Sequence, residues 1–139
     1  MISYEELIQK AAQAKERSYA PYSGFHVGAA LLCENGRVYT GCNIENAAFS
    51  PTNCAERTAV FKAVSEGDRN FTAIAVISDS PEPVAPCGVC RQVLAEFCAR
   101  DFKILMCRAD GTYKIQTLAE ILPDVAGSSS NFLRNLSTL

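Results

Sequence analysis

Two short stretches, Cys54-Ala55-Glu56 and Pro86-Cys87-Gly88-Val89-Cys90, constrain this chain more than any other feature. Each stands at the head of a helical run, and together they offer three thiols and a carboxylate. Cys87 and Cys90 straddle the first turn of a helix, where side chains three apart share a face and can grip one ion. Cys54 opens the other helix. A zinc ion held by three protein ligands keeps a fourth position for water, which separates a catalytic site from a closed structural one. Glu56, two residues from Cys54, is awkwardly placed to bind the same ion. It is well placed to reach over the open position and carry protons. Both helix N-termini would favour thiolates. The arrangement requires the two preceding strands to run parallel at the sheet centre, so that both helices open at one end of the sheet. Open α/β sheets bind ligands in that crevice. Three thiolates on a divalent ion leave a net negative charge, and Arg57 is the nearest cation able to donate to the ligand sulfurs.

Length and composition agree with a small enzyme. A chain of 139 residues is enough for one compact domain, 1–139, and short for two. Its 48% hydrophobic and 20% charged residues mark a globular chain rather than a disordered one. The net charge of −2 and the lack of a Lys/Arg run argue against a broad phosphate-binding face, while leaving room for one small nucleotide in a pocket. No apolar stretch is long enough to span a bilayer. The start, Met1-Ile2-Ser3-Tyr4-Glu5-Glu6, has neither a basic region nor an apolar core, so a cytoplasmic protein is expected. Seven cysteines would leave one outside any closed disulfide framework, and clustered thiols in a reducing compartment point to metal or catalysis. Cys33, Cys42, Cys98 and Cys107 lie in apolar surroundings and read as small buried hydrophobes.

In chain order, Ser3 and Glu6 form a capping box, and Leu7, Ile8, Ala11, Ala12 and Ala14 recur at helical spacing to about Arg17. Val27 to Cys33 and Arg37 to Cys42 are strands joined by the Asn35-Gly36 turn. The polar stretch Asn43 to Asn53 is too long for a simple turn, and loops of that length are often functional. A helix over Cys54 to Glu66 turns Ala55, Ala59, Val60, Ala63 and Val64 inward and stops at Gly67. Thr72 to Ser78 is a nearly continuous apolar run, as in a central strand covered on both sides. The next helix, Gly88 to Ala99, turns Val89, Val93, Leu94 and Phe97 inward. Lys103 to Cys107 is another buried strand, Asp110-Gly111 turns the chain into a further strand over Thr112 to Ile115, and Thr117 to Glu120 is a second capping box before Pro123. A tail follows from Asp124. This order predicts an α/β fold with one mixed sheet and helices on both faces.

Four motifs, Ser23-Gly24-Phe25-His26-Val27-Gly28-Ala29-Ala30, Gly41-Cys42-Asn43-Ile44-Glu45-Asn46-Ala47-Ala48, Cys54-Ala55-Glu56-Arg57 and Pro86-Cys87-Gly88-Val89-Cys90-Arg91-Gln92, closely resemble the cytidine deaminases, in their short-chain, homotetrameric branch. The likeness runs from the first helix to about Pro123. Zinc deaminases are known for such a site, with a cysteine where some members carry histidine. The resemblance implies a three-layer α/β/α sandwich with a single mixed five-stranded sheet. It implies one zinc per subunit on Cys54, Cys87 and Cys90, and hydrolytic deamination of cytidine and deoxycytidine to uridine and deoxyuridine in pyrimidine salvage. Zinc-activated water would attack C4 while Glu56 shuttles protons to N3 and to the departing amino group. By the same likeness Asn43 and Glu45 bind the ribose 3′-hydroxyl, Phe25 walls the pyrimidine, and the Ala55 backbone touches the base. Nucleosides would be favoured over free base, and nucleotides rejected. A homotetramer with shared active sites is implied, with neither nucleic acid nor membrane as partner.

Two positions depart from the family pattern. Phe49 stands where a tyrosine hydroxyl usually serves a neighbouring subunit, and Ala126 where an aromatic usually reaches it, with Phe132 as a candidate substitute. Plainer readings stand beside these. Cys87 and Cys90 alone could be a redox dithiol, and Cys42 or Cys107 could complete a structural zinc. Glu56 alone is a helix-start carboxylate, Phe25 a core residue, Asn43 and Glu45 a polar turn, His26 an ordinary polar contact, and Arg91 a solvated or interface residue. Alternatives in function are a deaminase for another cytosine-bearing small molecule, a polynucleotide deaminase, which the acidic charge disfavours, and a zinc-stabilised interaction module.

Overall fold

The Ser3 hydroxyl accepts from the Glu6 backbone N–H at 3.1 Å and starts helix α1, Tyr4–Lys15. The capping box is half formed, because the Glu6 carboxylate accepts from the Ser3 hydroxyl at 3.4 Å rather than from its backbone. Strand β1, Val27–Cys33, turns through Gly36, whose φ of 90° suits glycine, into β2, Val38–Cys42. Then come α2 (Ala55–Ser65), β3 (Phe71–Ser78), α3 (Gly88–Phe97), β4 (Lys103–Cys107), β5 (Tyr113–Thr117) and α4 (Leu118–Ile121). The Thr117–Glu120 capping box is complete. This computed structural model describes residues 1–124; the expected tail beyond Asp124, with Ala126 and Phe132, lies outside the described residues.

The strands form one sheet in the order β2-β1-β3-β4-β5. β1 is antiparallel to β2 and β3, β3 is parallel to β4, and β5 is antiparallel to β4, so the sheet is mixed and five-stranded. β3 occupies the middle, as its apolar run requires. The strands preceding α2 and α3 do run in one direction, but not as neighbours at the sheet centre. β2 is an edge strand and β1 lies between it and β3. Both helices still begin at the same end of the sheet.

Alternation along the strands divides the core in two. Ala29, Leu31, Ile74, Val76 and Ile104 pack against Ala59, Val60 and Ala63 of α2, Leu94 of α3 and Leu118 of α4. Ala30, Leu32, Ala73, Ala75, Ile77 and Leu105 pack against Leu7, Ile8 and Ala11 of α1. The result is three layers, with α1 the one helix on its face among the described residues. Cys33, Cys98 and Cys107 are buried as expected, whereas Cys42 is half-buried. Val89, expected inward, is 57% exposed. The buried stripe of α3 runs through Cys90 and Leu94, and the Val89–Val93–Phe97 row lies on its flank.

Glycine lets the helices seat backbone to backbone on the sheet. A Cβ at Gly28 would stand 2.0 Å from the Ala11 carbonyl oxygen and 2.6 Å from Lys15 N in α1. At Gly41 it would stand 2.4 Å from the Ala55 oxygen and 2.6 Å from Ala59 N, so this contact fixes the depth at which the first turn of α2 sits. Gly28→Ala should therefore lower unfolding free energy by about 2–3 kcal/mol. Urea denaturation reads this directly, and a loss below about 0.5 kcal/mol would show that α1 retreats without cost.

Candidate active site

The two helix N-termini carry the metal-ligating chemistry. Cys54 is the N-cap of α2 and Cys87 the N-cap of α3, both with extended backbone and neither side chain spent on capping. Their thiols are free to face outward from the helix ends. Cys90 follows one turn into α3 and is buried, Cys54 is half-buried and Cys87 exposed. The sulfurs of Cys54 and Cys87 lie 3.7 Å apart and those of Cys87 and Cys90 3.5 Å apart, with all three inside 4.8 Å. Zinc–sulfur bonds of about 2.3 Å in tetrahedral geometry demand sulfur separations of about 3.8 Å, so the three thiols fit that ion. A disulfide would need about 2.05 Å. Among the described residues, neither Cys42 nor Cys107 joins the cluster.

Charge around Cys54 favours its thiolate. Cys54 is the thiol held low, first because Cys90 donates to it and then, against the cost of burial, through Arg57 and Cys87; Cys90 is raised in turn. Arg57 Nη2 donates to Cys54 Sγ at 3.3 Å. Burial works against the guanidinium charge, yet hydrogen bonds to Cys54 and Cys90 hold its pKa above the ordinary value. Arg57 thus lies beside the Cys54 sulfur.

Glu56 is 5% exposed. Burial is the main reason that its pKa is pushed up to about 7; its own backbone N–H opposes that, the Cys54 thiolate adds to it, and Arg57 opposes it. A carboxyl poised there can both take and give a proton near neutrality. A metal cation alongside would draw the value down.

Glu56, Phe25, Asn43, Glu45 and Ala55 line one cavity of about 290 Å³ together with Cys54 and Cys87. Residues from three distant stretches of sequence thus meet at one opening. A cavity of about 310 Å³ between α1, β2 and α2, with Lys10, Arg17 and Lys62 on its wall, contains none of the clustered thiols. Asn43 Oδ1 accepts from Val27 N at 2.9 Å, and its Nδ2 donates to the Phe25 carbonyl at 2.8 Å. Glu45 Oε1 accepts from Tyr22 N at 2.9 Å and Ser23 N at 3.1 Å, while Oε2 accepts from the Ser23 hydroxyl. The Ser23 hydroxyl is the main cause of a lowered Glu45 pKa, which keeps the carboxylate charged. Each side chain retains spare hydrogen-bonding capacity: one N–H and a lone pair on Asn43, a lone pair on Glu45.

The 43–53 loop is pinned by bridges from Ile44 to Tyr19 and to Asn53. Phe49 within it is 76% exposed and takes a φ of 59°, a left-handed conformation unusual for an aromatic residue. His26 makes a polar contact, its Nδ1 hydrogen-bonded to the Ser18 hydroxyl. Ser23, Thr52, Asn53, Val84 and Ala85 also line the cavity and were not singled out from sequence. The length of the 43–53 loop was the available signal for two of them. Nothing local marks Val84 and Ala85.

This fold and site define a class, an α/β/α protein with a three-thiol metal centre and a buried carboxyl beside it. Residues 1–106 match the family described as "Cytidine and deoxycytidylate deaminase zinc-binding region", and the chain belongs to that family. It is 55% identical over 119 residues to a cytidine deaminase of Sporosarcina psychrophila, covering 86% of this chain and 88% of that one. A cytidine deaminase of Halalkalibacterium halodurans is 55% identical over 117 residues, covering 84% and 89% respectively. The crystal structure of cytidine deaminase from Burkholderia pseudomallei superposes with a TM-score of 0.86 at 43% identity, covering 89% of this chain and 99% of that chain. Zinc is thus the metal to expect on Cys54, Cys87 and Cys90.

Elemental analysis of purified protein should find one zinc per chain. Cys54→Ala and Cys87→Ala should abolish it, whereas Cys42→Ala and Cys107→Ala should retain it. Zinc lost from Cys42→Ala or Cys107→Ala would reinstate a closed four-sulfur site.

Proposed function

We propose that this protein hydrolyses cytidine and deoxycytidine to uridine and deoxyuridine, releasing ammonia, as a cytoplasmic step of pyrimidine salvage. The observation that carries the reading is Glu56, 5% exposed, lining the same cavity as Cys54 and Cys87 of the three-thiol cluster. Zinc held by Cys54, Cys87 and Cys90 would supply a Lewis acid that makes water nucleophilic at neutral pH. Glu56 would take a proton from the attacking water and deliver it to N3 as the oxygen bonds to C4. It then moves the remaining hydroxyl proton to the amino group, which leaves as ammonia, and C4 becomes a carbonyl. Water and nucleoside are the only reactants consumed.

The other residues bind and orient. Phe25 walls the pyrimidine ring, and the Ala55 backbone holds the base over Glu56. Asn43 and Glu45 use their spare donor and acceptors on the ribose 3′-hydroxyl, which selects nucleoside over free base. The Glu45 charge opposes a nucleotide phosphate. Arg57 offsets part of the negative charge of the thiolates by donating to Cys54 Sγ. The chain acts as one domain, and the working unit is a homotetramer in which neighbouring subunits share active sites. Support for the assembly is the likeness to the short-chain cytidine deaminases. Among the described residues, no helix is long and apolar enough to cross a membrane.

Ultraviolet absorbance tests the activity on a panel of cytidine, deoxycytidine, cytosine and deoxycytidine monophosphate. Turnover is expected on the two nucleosides only. Glu56→Ala should lower kcat by about 10²- to 10⁴-fold with zinc content unchanged. Full activity of Glu56→Ala, or cytosine turned over as well as cytidine, would contradict the assignment. Light scattering should give four chains per particle.

A further inference from the structure

Of the three clustered thiols, Cys87 is the one that packing does not place. Cys90 is fully buried within α3, and Cys54 is half-buried with Arg57 on its sulfur. Cys87 is exposed, sits at the helix N-cap and makes no capping bond with its side chain. Its position therefore depends on the peptide before it. Pro86 is fully buried, and the α3 ladder begins one residue later, where Arg91 N donates to the Cys87 carbonyl at 2.9 Å. That leaves the Pro86 carbonyl without a helix donor, a costly state for a buried acceptor.

Arg91 resolves this. Its Nε donates to the Pro86 oxygen at 2.7 Å, and its Nη1 donates to the carbonyl of Ile121, the last residue of α4, at 2.6 Å. Both bonds are short, charge-assisted and partly shielded from water, the conditions under which a guanidinium holds geometry best. Arg100 supplies an internal comparison. Its Nη2 donates to the next two carbonyls, Leu122 at 2.7 Å and Pro123 at 3.2 Å, and makes no hydrogen bond to the Pro86–Cys87 turn. Two arginines thus hold the exit of α4, and among the described residues Arg91 is the one that joins it to the metal-binding turn by hydrogen bonds.

We propose that Arg91 is a positioning residue for the metal centre, fixing the Cys87 thiolate by bracing the Pro86 peptide against the end of α4. The inference rests on the three-thiol site and is independent of which substrate is deaminated. A partner one step behind a ligand commonly governs metal affinity by tenfold to a hundredfold when removed. Arg91 acts through the ligand's backbone rather than its sulfur, which distinguishes it from Arg57.

The test is cobalt(II) titration of the full chain after zinc removal, followed by the thiolate-to-cobalt charge-transfer absorbance, with thermal melts in parallel. Arg91→Gln should bind cobalt at least about tenfold more weakly than wild type and give a weaker thiolate band. Arg100→Gln should bind cobalt as wild type does while melting earlier. Arg91→Lys, which keeps the charge but reaches one carbonyl at a time, should lie between. It decides the matter if Arg91→Gln does not fold. Wild-type cobalt affinity in both Arg91 variants that fold, or an equal loss in Arg100→Gln, would overturn the proposal. Such results would make Arg91 an anchor for α4 alone.

Discussion

The common direction of β2 and β3 is the constraint on which the site depends. Because β1 runs antiparallel to both, the chain leaves each of them at the same end of the sheet and starts a helix there. Two N-caps, Cys54 and Cys87, are thereby brought within 3.7 Å, sulfur to sulfur, from positions 33 residues apart. Gly41 sets the depth of this convergence, since its missing side chain is what lets Ala55 and Ala59 of α2 rest on β2. Fold and metal site are in this sense one object: a helix start that shifted on the sheet would take a ligand with it.

Charge then divides the labour among residues of similar type. Two acids face the same cavity with their pKa values shifted in opposite directions. Glu45 is kept ionised by the Ser23 hydroxyl and the Tyr22 and Ser23 backbone N–H groups, whereas burial raises Glu56 toward neutrality. The first is suited to fixed recognition and the second to proton traffic. Among the cysteines, Cys33 and Cys107 are pushed up to about 11 mainly by burial and remain inert thiols, while Cys54 is held low by donors.

Much of this is legible in the sequence where the signal is local. β1 and β4 have the bounds that their apolar runs predict, and the Thr117–Glu120 capping box is present. The Cys54, Glu56, Cys87 and Cys90 cluster is legible because three-residue spacing on a helix and adjacency at a helix start are geometric facts. What requires the closed structure is long-range. β2 lies at the edge because β1 pairs on both sides, and no residue of β2 announces that. Val89 reads as apolar and inward but falls beside the stripe that Cys90 and Leu94 bury. The hydrogen bonds that fix Glu45 come from residues 22 and 23 positions away, and the Arg91 bond to Ile121 spans 30. Pattern in a single stretch cannot encode such partners.

The central claim is one metal ion with three sulfurs and a fourth position kept for oxygen. X-ray absorption at the zinc edge of the resting protein tests it most directly. The account requires three sulfur scatterers at about 2.3 Å and one oxygen at about 2.0 Å. Four sulfurs, or fewer than three, would contradict it.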